Sequence, residues 1–234
     1  MSDLLTPASA FQGDTKAGGP GRPVQLRIDV VSDAICPWCW IGRANLTAAL
    51  AELGWDAQVH WHPYQLNPDM PVEGVDRAAY RAEKFGSLAA SVQKDAQVAQ
   101  AGAAAGLEFR LGEQKRTPNT ILAHRLAKFA GPVQDAMIER MFLAYFQEGK
   151  DIGDRAVLAA LAADVGLDAA AFLNGDEFDA DVRTEDAHFR RLGINGVPSF
   201  ALAGHILFSG AMPPDRMAAA FRQGHAMLTE KGLI

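Results

Sequence analysis

The chain has 234 residues, of which 49% are hydrophobic and 21% are charged, and its formal net charge is −6 at pH 7. This composition is typical of a globular protein that is long enough to bury a substantial core. The negative charge argues against nucleic acid or an anionic membrane as a partner, because both select for basic surfaces, and no apolar run approaches the roughly 20 residues that cross a bilayer.

The first segment, residues 1–23, is rich in Gly, Pro, Ser and Thr. It lacks the basic stretch followed by an apolar stretch that marks a secretory signal. We therefore expect a flexible tail and a cytoplasmic protein. In the cytoplasm a structural disulfide is rare, so a closely spaced cysteine pair is more often catalytic or metal-binding.

A βαβ unit is predicted after the tail. Apolar and polar residues alternate over 26–31, which predicts a strand with one buried face. A helix is predicted from the cysteine pair to Leu53, with Gly54 as its stop, and a second strand over 59–64. Two strands joined by a helical crossover are expected to run parallel.

The middle of the chain is predicted to be helical, and its end returns to β-structure. Helices are expected at 76–104, 118–130, 133–147, 154–173 and 178–191. A hairpin is predicted over 198–208, followed by a last helix after Pro213. Because neither β-containing end can bury a core alone, we expect residues 24–74 and 192–234 to form one domain, with 75–191 inserted as a helical domain.

The only two cysteines of the chain lie one helical turn apart, at Cys36 and Cys39. At that spacing the second sulfur can attack a mixed disulfide formed at the first. Pro37 is favoured at a first helical position, so Cys36 is predicted at the helix N-terminus, near solvent, where the helix dipole favours a thiolate. Cys39 lies on the apolar stripe of the helix and is predicted to be the resolving thiol.

Other interpretations of the cysteine pair compete with this one. A structural zinc site usually has four ligands, and only His60 and His62, on one face of a predicted strand, could complete it. Covalent haem attachment requires a histidine where Trp40 stands. Two inert cysteines at this spacing are a further alternative, and we predict no metal.

The segment 32–42 closely resembles the DsbA-like thioredoxin-fold family, in particular its cytoplasmic FrnE-like subgroup. Segments 64–68, 118–125 and 196–200 agree with this resemblance, which covers about residues 24–230. It implies an α/β, thioredoxin-like fold of βαβ…ββα order, with a mixed sheet and an inserted α-helical domain. It also implies a cis bond before Pro198, which would pack beside the cysteines.

The resemblance implies a protein-disulfide oxidoreductase or isomerase in which Cys36 and Cys39 carry the exchange. Pro198 lacks an N–H, which leaves the backbone of Val197 free to pair with an extended substrate. Pro37 and Trp38 are expected to contribute to substrate binding. No bound cofactor is required. The expected partners are protein thiols or disulfides, or glutathione as a co-substrate, and the chain would act as a monomer or a homodimer.

The sequence departs from the family pattern at the position of a buried acidic residue. Thioredoxins and many DsbA-like proteins place a buried carboxylate six residues before the first cysteine, where this chain has Val30. Asp33 is the nearest acid and a candidate proton relay, with capping of the strand–helix loop as the equal alternative. Asn119 and His124 are candidates to face the cysteines from the helical segment, although helix capping and core packing are simpler roles.

Two other functions compete with disulfide exchange. The first is a glutathione-dependent isomerase or transferase of the 2-hydroxychromene-2-carboxylate isomerase or kappa-class type, whose members resemble this fold but generally have Ser in place of Cys36. The second is a non-enzymatic peptide-binding or chaperone module. The presence of Cys39 argues against the first.

Overall fold

The computed structural model describes residues 26–234, so the tail predicted for residues 1–23 lies outside the described residues. The elements in chain order are β1 (Leu26–Ser32), α1 (Pro37–Leu53), β2 (Ala57–Pro63), β3 (Val75–Asp76), α2 (Arg77–Phe85), α3 (Leu88–Ala104), β4 (Arg116–Thr117), α4 (Ile121–Phe129), α5 (Gln134–Phe146), α6 (Arg155–Asp164), α7 (Ala170–Asn174), α8 (Asp179–Arg191), β5 (Ser199–Leu202), β6 (His205–Ser209) and α9 (Pro214–Glu230). A short 3-10 helix, Gly131–Val133, precedes α5.

The main sheet joins both ends of the described chain. Its strand order is β2-β1-β5-β6. β1 and β2 are parallel, whereas β5 is antiparallel to β1 and to β6. The predicted βαβ and ββα units therefore share one mixed sheet, which confirms the α/β, thioredoxin-like fold class. The two-residue strands β3 and β4 form a separate small ladder that the sequence did not predict.

The prediction of a single buried face was wrong for β1. Val30 and Val31 point to opposite faces, yet both are essentially unexposed, because helices cover both sides of this central strand. Phe189 of α8 packs in the same buried cluster as Val31. Asp29, which suggested a solvent face, is a fully buried carboxylate that bonds the Arg27 guanidinium at 2.7 Å and His62 Nε2 at 2.8 Å.

Helices α2–α8 connect β2 to β5, as expected for an insertion, and their bounds differ from the predicted ones at two glycines. Gly86, with φ 84°, separates α2 from α3, and Gly166, with φ 80°, follows α6. Both adopt the left-handed conformation that glycine tolerates best. One hydrophobic cluster runs from Val30 in the sheet to Leu158 in α6. The division of the chain at residues 75 and 191 stays a prediction.

Helix α1 carries the cysteine pair and has the predicted bounds. Pro37 is its first residue, and Gly54, with φ 63°, ends it. Its buried surface is wider than the predicted stripe, because the insertion packs on its second side. There Trp40 is buried and stacks with Phe146 of α5, which gives it a packing role. None of the helices in the described part of the chain has the length and apolar character of a bilayer span.

Candidate active site

Cys36 is the N-cap of α1. Its backbone is extended, its N–H donates to the carbonyl of Asp33 at 3.0 Å, and its own carbonyl accepts from the N–H of Cys39 at 3.0 Å. Only 3% of Cys36 is exposed, so the expectation that it lies near solvent was wrong. The segment 196–197 approaches α1 from across the fold, and Cys36 faces a cavity instead of the outer surface.

The two cysteines are free thiols in unequal environments. Cys39 is fully buried, and burial, reinforced by the adjacent Cys36 sulfur, raises the pKa of Cys39 well above its usual value. The Ser32 hydroxyl and the backbone of Asp33 oppose this shift without cancelling it. Cys39 therefore stays protonated at neutral pH until it reacts.

The start of β5 lies directly against the cysteine pair. The bond between Val197 and Pro198 is cis, and the Cys36 thiol donates to the Val197 carbonyl across 3.6 Å. A Cβ atom on Gly42 would lie 2.8 Å from Cγ of Pro198. A residue with a side chain at position 42 would therefore push α1 away from Pro198.

A cavity of about 390 Å³ opens beside Cys36. Its wall includes Pro37 and Trp38 at the start of α1 and Val197 just before β5. The wall contributed by α2 and α3 is cationic and holds Arg77, Arg81, Lys84 and Lys94, with Asp95 as its one carboxylate. Sequence reasoning missed these residues, because nothing in a helical pattern indicates which face lies over the cysteines.

The charges of that wall are unevenly paired. Asp95 forms ion pairs with Arg77 and Arg81. Lys84 and Lys94 donate to neutral oxygens, the hydroxyl of Tyr80 at 3.0 Å and the side-chain carbonyl of Gln97 at 3.4 Å. Neither lysine forms an ion pair within residues 26–234. The cavity therefore keeps a net positive charge next to Cys36.

Asp33 is fully buried in the loop between β1 and α1. One carboxylate oxygen bonds His124 Nε2 at 3.2 Å, and the other accepts the N–H of Leu66 at 2.8 Å. The carboxylate thus joins the cysteine loop to α4 and to the chain after β2, and only its backbone acts on Cys39. The relay role of Asp33 stays a prediction. Asn119 has the simpler role, since its side-chain oxygen accepts the N–H of Ile121 at the start of α4.

The histidines of the zinc alternative are not arranged with the cysteines as a ligand set in the described part of the chain. His62 bonds Asp29, and it also contacts Glu185 at 3.5 Å. These two acids raise the pKa of His62 even though burial alone would lower it. No group of three or more His, Cys, Asp or Glu side chains in the described part of the chain is arranged to hold a metal ion.

Comparisons with known proteins agree with this geometry. Residues 27–222 match the family model described as a DSBA-like thioredoxin domain. The uncharacterized protein YwbO of Bacillus subtilis is 30% identical over 196 residues, which cover 81% of this chain and 92% of YwbO. A probable DsbA oxidoreductase from Streptomyces coelicolor superposes with a TM-score of 0.77 and 26% identity, covering 86% of this chain and 91% of that one.

A second similar structure shares the fold. The cytosolic disulfide reductase DsbM from Pseudomonas aeruginosa, solved with GSH, has a TM-score of 0.61 and 24% identity, and the match covers 86% of this chain and all of that one.

Proposed function

The chain belongs to the DSBA-like thioredoxin domain family, and from that premise we propose that it exchanges a Cys36–Cys39 dithiol or disulfide with thiol or disulfide substrates. The observation that carries the proposal is the pairing of two unequal sulfurs. Cys36 caps a helix beside a cavity, and the buried Cys39, with its raised pKa, lies one turn behind. A helix N-terminus stabilises a thiolate, so the first sulfur is suited to attack and the second to resolve.

In the proposed reaction the Cys36 sulfur attacks a substrate disulfide and one substrate sulfur leaves as a thiolate. Cys39 then attacks Cys36, closes the protein disulfide and releases the second substrate sulfur. Pro37, Trp38 and Val197 form the walls that a substrate meets, and Pro198 places Val197 there. All electrons come from the dithiol, so no bound cofactor is required.

A redox titration tests this proposal. We expect both thiols to disappear together as the ratio of oxidised to reduced glutathione rises, in one transition with a two-electron slope of about 30 mV per tenfold change. Alkylation followed by mass spectrometry of the intact protein gives the readout. A midpoint well below the glutathione pool would indicate a reductant, and one well above it an oxidant or isomerase. Two thiols that remain alkylatable in excess oxidised glutathione would exclude the proposal.

Glutathione is the small-molecule thiol that we propose as co-substrate. It carries two carboxylates, which suit a cavity whose Lys84 and Lys94 lack acidic partners. The DsbM structure with GSH supports the same choice. We place the reaction in the cytoplasm, where disulfides are kept reduced, and propose that the chain acts there as a monomer or a homodimer.

Reversal of the charges of Lys84 and Lys94 tests whether the cavity binds glutathione. In the double variant Lys84→Glu/Lys94→Glu, we expect the rate at which glutathione reduces the Cys36–Cys39 disulfide to fall about tenfold, the equivalent of about 1.4 kcal/mol. The rate of the wild-type protein should fall with added salt and that of the variant should not. Stopped-flow tryptophan fluorescence measures both rates. The control is Lys231→Glu, at the exposed end of α9. An unchanged rate in the double variant would exclude Lys84 and Lys94 as a glutathione site.

A further inference from the structure

The proton of Cys39 has no acidic acceptor at the expected place. Cys39 is completely buried, so it must transfer its proton within the protein when it attacks Cys36. Position 30 on the central strand, where the family pattern described above has an acid, is a valine. Both carboxylate oxygens of Asp33 are already bonded, one to His124 and one to the backbone of Leu66.

Ser32 is the last residue of β1, and its hydroxyl is buried. Among the described residues, no group meets the geometric criteria of a hydrogen bond to this hydroxyl. The same hydroxyl lies close enough to Cys39 to lower its pKa. Buried polar groups are rarely left unpaired, so a hydroxyl whose one interaction is with the Cys39 sulfur is able to take a further partner.

Ser32 also lines a small cavity. Its volume is about 10 Å³, which is close to the space that one water molecule occupies. Its polar wall consists of Ser32, His62, His124 and Lys128, and apolar residues close the remainder. A single water in this space would be within reach of the Ser32 oxygen and of an imidazole.

His124 is the group in that wall that we consider as the proton acceptor. It is 4% exposed on α4, and its Nε2 bonds the Asp33 carboxylate. Because a carboxylate only accepts, Nε2 carries the hydrogen and Nδ1 is the acceptor. Three charged or titratable groups lie around His124: Asp33 from the loop, His62 from β2 and Lys128 from α4. Glu185 of α8 contacts both His62 and Lys128.

We propose that Ser32 and His124, joined by one water in this cavity, form the proton path of Cys39 and replace the carboxylate that position 30 lacks. The inference rests on the proposed function. Asp33 is then a positioning residue, which orients His124 through its contact with Nε2.

The step balances in protons and electrons. Cys39 passes its proton to the Ser32 oxygen, and the Ser32 proton moves through the water to Nδ1 of His124. The Cys39 sulfur forms a bond to the Cys36 sulfur. The bond between Cys36 and the substrate sulfur breaks, and that sulfur leaves as a thiolate with the electron pair. In the opposite direction of exchange, His124 returns the proton to the departing Cys39.

A chromogenic aromatic disulfide separates the two chemical steps. The reduced protein releases one aromatic thiolate when Cys36 attacks and a second when Cys39 resolves the mixed disulfide. In Ser32→Ala and in His124→Gln, we expect the first release at the wild-type rate and the second at least about 100-fold slower at pH 7. The double variant should be no slower than the slower single variant, because both residues serve one path.

The pH profile distinguishes a proton path from a packing defect. Because the variants lack a proton acceptor, the slowing of the second release should shrink as the pH rises in both of them. Ser32→Thr should restore the step, and His60→Gln on β2 should leave both releases unchanged. A second release at the wild-type rate, or a slowing that is equal at every pH, would overturn the inference. If the wild-type protein releases no aromatic thiolate in the first step, the proposed function itself would be overturned.

Discussion

Replacement of Cys36 by Ser is expected to abolish disulfide exchange, with a loss on the order of 10³-fold or more. The Cys36 sulfur is the one that faces the cavity and contacts the Val197 carbonyl. A hydroxyl in its place is a far weaker nucleophile and forms no disulfide. The measurement is the rate at which the reduced protein cleaves a model peptide disulfide.

The fold of this variant can be checked separately. Ser is close to Cys in size, so we expect the circular dichroism spectrum and the melting curve of Cys36→Ser to match those of the reduced wild-type protein. A peptide-binding module would bind an unfolded chain equally well with both cysteines replaced. Activity above a tenth of the wild-type rate in Cys36→Ser would contradict the assignment of the nucleophile.

Replacement of Cys39 by Ser is expected to trap the reaction halfway. Cys36 can still attack, but no sulfur lies behind it to displace the substrate, so the mixed disulfide persists. We expect nearly complete conversion to a glutathione adduct on incubation with oxidised glutathione, and a loss of turnover on the order of 10³-fold. Mass spectrometry of the intact protein detects the adduct, and an added dithiol should remove it.

This variant also distinguishes the competing enzyme class. A glutathione-dependent isomerase or transferase does not need a resolving thiol, so it would keep its activity in Cys39→Ser and accumulate no adduct. The double variant Cys36→Ser/Cys39→Ser, which can form no mixed disulfide, is the matched control. Full turnover without an adduct in Cys39→Ser would exclude the exchange mechanism.

Features with local causes were predictable from the sequence. Proline after Cys36 starts α1, and a glycine in the left-handed conformation ends it at position 54. Both effects act within a few residues, so they can be read without the fold. The unequal roles proposed for the two sulfurs follow from the same helix, since one residue caps it and the other lies one turn inside.

Features that depend on packing were missed or misjudged. The alternation in β1 indicated one solvent face, but α8 covers that face and Asp29 is buried with Arg27 and His62. Cys36 was expected near solvent, but residues 161 positions later lie over it. In both cases a distant segment changes the environment of a residue without changing the local pattern.

The sequence by itself predicted the chemistry proposed for this protein, because two thiols one helical turn apart at a helix N-terminus suit disulfide exchange. Only the tertiary structure decided what surrounds them. It brings the cations of α2 and α3 to the cavity of Cys36, and it brings His124 of α4 to the cavity beside Ser32. The physical reason is that spacing along a helix sets which neighbouring residues meet, whereas charge and proton acceptors reach a buried sulfur only when separate segments pack together.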